Sequence, residues 1–237
     1  MNIIIPMAGL GARFPKDRYP FPKPLIPIHG VPMIKLAVQS LRIEGTYHFV
    51  VLRKDSTPLL TQVLSDTSKD SRVYIIDALT DGPARTALVA ATSIESDDEL
   101  IITNCDQIME WNSRTFLHNT SLYDSTIVTY HANTPHNSYA VLNRAGYVSN
   151  VREKQIISNI SLNGIHYWRK ARYFVDSALE MIKQNDTAPN GEFYISHTFN
   201  HLIASGRSVG IYHIPNQQHH AVGTPADLEV YLARTGL

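Results

Sequence analysis

Two short segments near the start of the chain combine residue types suited to binding an anion. Gly9-Leu10-Gly11-Ala12-Arg13 follows an apolar run, Asn2–Ala8, and Phe21-Pro22-Lys23-Pro24-Leu25-Ile26-Pro27 comes shortly after. Glycines after a strand let backbone N–H groups approach an anion closely, and positive φ costs them little. Lys23, between two prolines, sits on stiff extended backbone with little conformational entropy left to lose, which fixes its ammonium. Residues 1–35 hold Arg13, Lys16, Arg18, Lys23 and Lys35 against one acid, Asp17, in a chain with 21 basic and 21 acidic residues. A cationic loop in a neutral chain suits a small polyanion. Two phosphate motifs are excluded: Phe14 occupies the third glycine of G-x-G-x-x-G, and no G-K-[ST] completes a P-loop. On their own, the glycines fit an ordinary turn equally well.

Further along, Asp106 ends an apolar run, Glu99–Thr103, through Asn104-Cys105. A carboxylate at the C-terminal end of a strand lies where open α/β sheets bind ligands. The 11 histidines show no Cys/His zinc spacing, and His197 and His201 lack the glutamate that a zinc peptidase places beside the first histidine. Tyr139, Tyr167, Trp168 and Tyr194 have no accompanying basic stripe, which argues against nucleic-acid stacking. Zero net charge argues the same way.

Certain elements must position these groups. Residues 2–8 read as a strand covered on both faces, and Gly9–Pro27, with five prolines, as a loop. Pro32 opens a helix carrying Ile34, Leu36, Ala37, Val38 and Leu41. Tyr47–Leu52, Val73–Ala78 and Glu99–Thr103 read as strands alternating with helices over Thr57–Leu64 and residues 83–93, which implies βαβ units. The second half is β-rich: Ser125–His131, Ser138–Asn143, Tyr147–Val151 and Ile160–Trp168, with a hairpin turn at Asn143-Arg144-Ala145-Gly146. Helices over Ala171–Lys183 and Ile195–Ala204, a strand over Val209–Ile214 and a terminal helix from Pro225 complete it. No linker divides the 237 residues, so one domain is expected, with a nucleotide half (1–122) and an acceptor half (123–237). A lone cysteine, no signal-like start and no run of about 18 apolar residues lead to a cytoplasmic expectation without a membrane span.

Gly9-x-Gly11-x-Arg13 followed by Pro22-Lys23-Pro24-Leu25 resembles the signature of the sugar-phosphate and phosphocholine nucleotidyltransferases, the NDP-sugar pyrophosphorylase family. Leu79–Thr86, Asn104-Cys105-Asp106, Glu153-Lys154, Gly164-Ile165-His166-Tyr167 and Gly223-Thr224-Pro225-Ala226-Asp227-Leu228 extend the likeness over most of the chain. The length resembles that of the short members. The resemblance implies a Rossmann-like α/β fold, with a mixed, mostly parallel sheet flanked by helices and an added β-rich acceptor region. It implies transfer of a nucleoside monophosphate, from CTP by preference, to a sugar phosphate, a phosphocholine-like alcohol or a phosphorylated amino acid, releasing pyrophosphate. Capsule or surface-polysaccharide synthesis is the implied setting.

By the same resemblance, Arg13, Lys23 and Asp106 are the catalytic residues and Ala8, Gly9, Leu10, Gly11, Gly82, Thr86 and Asn104 bind the nucleotide. Tyr139, Glu153, Lys154, Gly164 and Glu192 then bind the acceptor, and Asp106 holds Mg²⁺. Many members carry a second metal-binding aspartate before the closing Gly-Thr, where this chain has His219-His220-Ala221-Val222, and Glu192 is the candidate replacement. The competing readings of Glu192 and Asp227 are first-turn helix acids. The expected partners are a nucleoside triphosphate and a phosphorylated small molecule, without nucleic acid or membrane, and homo-oligomerisation is left open. The alternative is a non-catalytic nucleotide-binding relative. A glycosyltransferase fits poorly, because Asn104-Cys105-Asp106 lacks the first carboxylate of Asp-x-Asp.

Overall fold

The computed structural model describes residues 1–236. Strand β1 (Asn2–Pro6) is buried on both faces through Ile3, Ile4 and Ile5, as an apolar run without alternation requires. A two-stranded ribbon, β2 (Pro27–Ile28) and β3 (Val31–Pro32), leads into α1 (Met33–Leu41). Three further parallel strands follow: β4 (Thr46–Leu52), β5 (Ser71–Ile76) and β6 (Leu100–Ile102). Between them run α2 (Pro58–Thr67), capped by the Thr57 hydroxyl, and α3 (Pro83–Ala91).

Next come β7 (Gln107–Met109), α4 (Ser113–Thr120), β8 (Ser125–His131), β9 (Ser138–Leu142), β10 (Val148–Glu153) and β11 (Ile160–Trp168). Helices α5 (Ala171–Lys183) and α6 (Ile195–Ala204) precede β12 (Val209–His213), β13 (His219–Ala221) and α7 (Pro225–Arg234). The main sheet has nine strands in the order β10-β9-β11-β6-β1-β4-β5, with β8 on β11 and β12 on β8. Both halves of the sequence therefore contribute to one mixed sheet. Antiparallel β11 joins them by pairing with β6 and with β8.

Helices cover both faces. One layer packs Phe174, Phe199 and Trp168 with the alanine face of α3. The other packs Ile34, Val38 and Leu41 of α1 with Phe49, Phe116 and Trp111. The predicted hairpin forms at Asn143–Gly146: Gly146 takes φ +86°, and the Asn143 side chain accepts from the Ala145 and Tyr147 amides. The predictions missed the short β2–β3 ribbon, and also β7, α4 and β13. Two of these are three-residue strands, too short for a period to show, and α4 is announced mainly by its cap, Asn112, which accepts from the Thr115 amide. No helix among the described residues is long and apolar enough to cross a membrane.

The connection order places the candidate site. From β1 the chain runs outward through β4 to β5, then returns to set β6 on the other side of β1. Such a switch point leaves a crevice at the C-terminal strand ends. The glycine loop leaves β1 there, and Asn104–Asp106 leaves β6 beside it, since Ile4 and Ile102 are register partners.

Candidate functional site

Two adjoining cavities open on this crevice, of about 570 and 1240 Å³. Arg13, Asn104, Asp106 and Tyr194 border both, so together the cavities form one cleft with a seam at these residues. Ala8, Gly9, Leu10, Gly11, Lys23, Gly82 and Thr86 line the smaller cavity. Glu153, Lys154 and Gly164 line the larger.

At the seam the Lys23 ammonium pairs with Asp106 Oδ2. Gly11, at φ +62°, lets the loop approach so closely that an added Cβ would stand 3.3 Å from Lys23 Cβ. Burial works to raise the Asp106 carboxyl, yet the Lys23 ammonium, with Arg13 beyond it, outweighs burial and holds it below the usual carboxylate range. Burial also opposes charge on Lys23, but Asp106 overcomes it and keeps the ammonium above its ordinary value. Gly9 has nothing within 4 Å of the place for a Cβ, so packing does not demand a glycine there.

Three other glycines make room for the protein itself. A Cβ on Gly223 would stand 2.6 Å from Asp106 Oδ2, so the Gly223-Thr224 segment buttresses the carboxylate. Gly164, at φ +99° in the irregular stretch of β11, yields its space to the Asn104 amide. Gly82, at φ +136°, lies against the Phe193 backbone, and its neighbours exchange hydrogen bonds with Phe193: Phe193 N to Asp81 O at 2.8 Å and Ala84 N to Phe193 O at 3.0 Å. This clamp ties residues 192–194 to the start of α3. Thr86 bonds Thr80 at 2.6 Å within the same turn.

In the larger cavity Lys154, itself at φ +54°, donates to the Tyr194 hydroxyl at 2.6 Å. Glu153 is buried and accepts hydroxyls from Ser138 and Ser196. One expectation is corrected. Tyr139 is fully buried and does not reach the cleft, and its hydroxyl bonds the amide and carbonyl of Thr134. Along β9 successive side chains take opposite faces, so Tyr139 turns away from the cavity that Ser138 borders and ties down the loop at Thr134, which lines that cavity.

Glu192 borders the smaller cavity but accepts from Asn190 at 2.9 Å. It precedes α6, whose first turn carries no acid, so the first-turn reading of Glu192 does not hold. For Asp227 that reading holds: its amide donates to the Thr224 cap and its carboxylate accepts the Thr224 hydroxyl. Cys105 is buried in the core, with burial pushing its thiol up to about 11.

Among the described residues no three His, Cys, Asp or Glu groups assemble as a metal cage. Asp106 is a single carboxylate at the seam. That donor set fits Mg²⁺, which takes one or two protein carboxylates and completes its shell with substrate phosphates and water.

Sequence reasoning overlooked Gln107, Asn163 and Ser196, which also line the larger cavity and are buried. Such polar residues inside otherwise apolar strand and helix starts were a readable signal.

No family model matches the chain. Two curated sequences are similar: the bifunctional protein GlmU of Methanocaldococcus jannaschii, 24% identical over 217 residues, and that of Methanococcus maripaludis, 26% identical over 220. Each match takes 89% of this chain and 49% of the relative, so the chain spans about half the length of the curated relatives it matches. Among solved structures, a nucleoside-diphosphate-sugar pyrophosphorylase from Vibrio cholerae RC9 superposes with a TM-score of 0.87 at 21% identity, covering 98% of this chain and 99% of the other. A putative glucose-1-phosphate thymidylyltransferase from Bacillus anthracis gives 0.77 at 17% identity, covering 98% and 94%. The inositol-1-phosphate CTP transferase of T. maritima gives 0.76 at 17%, covering 99% and 94%. The chain therefore has the Rossmann-like fold of nucleotidyltransferases, as its motifs led one to expect.

Proposed function

We propose that this protein is a Mg²⁺-dependent nucleotidyltransferase that moves a nucleoside monophosphate from a triphosphate, CTP before others, onto the phosphate of a small metabolite. The observation that carries this reading is the seam, where Arg13 and Asp106 border both cavities and Lys23, lining the smaller one, pairs with Asp106. CTP is preferred by analogy with compact relatives of this fold. Cytoplasmic synthesis of activated precursors for capsule or other surface polysaccharide is the setting we propose.

In this reading the triphosphate lies along Ala8–Arg13, with its base toward Gly82 and Thr86. The acceptor phosphate meets Lys154, with Glu153, Gly164 and Glu192 around the acceptor. An acceptor phosphate oxygen attacks the α-phosphorus, a new P–O bond forms, and the α–β bridging bond breaks to release pyrophosphate. A phosphate monoester is largely dianionic at neutral pH, with a second pKa near 6, so the nucleophile needs no base. What the protein supplies is placement of two polyanions and cations aimed at the developing charge. Arg13 suits a bidentate grip on the terminal phosphates, and Lys23 is a point charge for the α-phosphate. Asp106, together with the substrate phosphates, would hold Mg²⁺, which when bound would supply positive charge to offset the charge developing on the phosphoryl group.

Pyrophosphate release tests the proposal, with four triphosphates screened against phosphorylated sugars, amino alcohols and amino acids. Turnover with one pair, lost in Asp106→Ala, is the expected result. Tight triphosphate binding without turnover on any acceptor favours a binding-only relative, and no triphosphate binding at all overturns the reading.

A further inference from the structure

The larger cavity contains charged groups that are already engaged. Of its three carboxylates, Glu153 accepts two serine hydroxyls, Asp227 accepts Thr224 and Asp106 pairs with Lys23, while Glu192, on the wall of the adjoining cavity, accepts from the Asn190 side chain at 2.9 Å. A ligand carrying an ammonium needs a free carboxylate or an open aromatic cage. The two tyrosines on the wall are covered, Tyr130 by the His219 ring at 4.6 Å and Tyr194 by the Lys154 ammonium at 4.7 Å. The rest of the polar wall is mainly neutral: amides such as Gln107, Asn137 and Asn163, hydroxyls, and histidine rings.

One of those rings stands apart. His166 lies just past the Gly164 irregularity in β11, borders the cavity and is only 6% exposed. It packs edge-on against Phe199 and Trp168, with centroids at 5.3 and 6.2 Å. Its Nδ1 is sealed from solvent and has no hydrogen-bond partner. Burial drives its pKa down to about 3, so the ring is neutral and carries one proton. A sealed, unpaired N–H costs more than a sealed lone pair, so the favoured tautomer leaves Nδ1 bare and protonates Nε2.

We propose that His166 is a specificity-determining residue of the acceptor site, its Nε2–H donating to a hydroxyl oxygen on an acceptor whose body is uncharged and hydroxyl-bearing. This rests on the nucleotidyltransferase reading and narrows it to polyol or sugar monophosphates. A neutral donor of fixed tautomer selects for an oxygen partner, since an acceptor lacking that hydroxyl leaves the buried N–H unpaired.

The test is calorimetric binding of α-D-glucose 1-phosphate, myo-inositol 1-phosphate, glycerol 3-phosphate, phosphocholine and O-phosphoserine to the CTP-loaded protein. Wild type is compared with His166→Phe, which keeps a ring, and His166→Gln, which keeps a donor near Nε2; thermal melts verify folding. We expect a hydroxylated phosphate to bind best, about tenfold more weakly in His166→Phe and within about threefold in His166→Gln, with CTP affinity unchanged throughout. In turnover the Phe variant should raise the acceptor KM more than it lowers kcat. Equal acceptor affinity in wild type and both variants overturns the proposal. So does preference for phosphocholine or phosphoserine, or failure of every monoester to bind. In each of these outcomes retained CTP binding leaves the nucleotide reading standing, whereas loss of all triphosphate binding would defeat that reading itself.

Discussion

Lys23 and Asp106 are 83 residues apart in sequence and in contact in the fold, each shifting the other's ionisation toward the charged form. Replacing Lys23 with Met leaves the carboxylate without its counter-charge and the reaction without a cation. Turnover should fall about 10²–10³-fold, as on removal of a transition-state donor elsewhere, with the Asp106 carboxyl titrating at higher pH by NMR. A variant that keeps near-normal turnover would remove Lys23 from the chemistry. Gly223 offers a subtler test. Gly223→Ala puts a methyl 2.6 Å from Asp106 Oδ2, and the carboxylate tip can swing away at little cost to the fold. The expected outcome is turnover reduced about 10–100-fold, the scale of a small misplacement, with a melting temperature near wild type. Both residues were visible as motif members, but Gly223's position against Asp106 was not.

At the scale of elements, the link between the start of α3 and the start of α6 decides whether the cleft closes on one side. Gly82 is the hinge point of that link: φ +136° suits glycine, and a Cβ would lie 2.5 Å from the Phe193 nitrogen, on backbone that cannot step aside. Strain of this kind costs about 1–3 kcal/mol. For a chain of this size that is roughly 2–12 °C in melting temperature. Gly82→Ala should therefore melt lower and bind triphosphate more weakly, because residues 192–194 lose their anchor; an unchanged melt contradicts the account. The family resemblance gave Gly82 a place at the nucleotide, and it does line the smaller cavity; what the sequence did not show is the Phe193 backbone packed against it, a second reason for a glycine there.

For the whole molecule, pH is the broadest probe. His48 is fully buried between Asn2 and Tyr74, and burial, aided by Arg72, lowers its pKa to about 4. Burial does the same to His219, to about 4, and to His166, to about 3. In the unfolded chain these rings bind protons near 6.5. Below that pH the unfolded state holds more protons than the folded state, so the three contributions are fully present above pH 6.5 and are lost as pH falls toward 4. Urea midpoints should drop steadily between pH 6.5 and 4.5, with up to three protons taken up on unfolding, and His48→Gln should flatten part of the slope. A stability that is level across that range would rule the account out.

What the sequence determined was local chemistry and order. An apolar run without alternation read as a doubly covered strand, and alternation from residue 1 to about 105 implied βαβ units. Those features placed Gly9, Gly11 and Asp106 just past strand ends and Lys23 in the loop that follows the first strand. The Pro-Lys-Pro segment, read as stiff and extended, instead forms a short 3-10 turn over Lys23–Leu25, with the Leu25 amide bonded to the Pro22 carbonyl at 2.8 Å. The tertiary structure alone decided which groups meet. Residues from β1, β6, β11 and the Gly223-Thr224 segment converge because β6 returns beside β1 and β11 crosses against it. It also moved Tyr139 out of the cleft, since a side chain's face in a strand depends on register and on which sheet face is covered. It left His166 facing a cavity with a nitrogen unpaired, for the same reason. Spacing along a chain encodes propensity and stiffness; contact across 80 residues depends on strand order, which only packing selects.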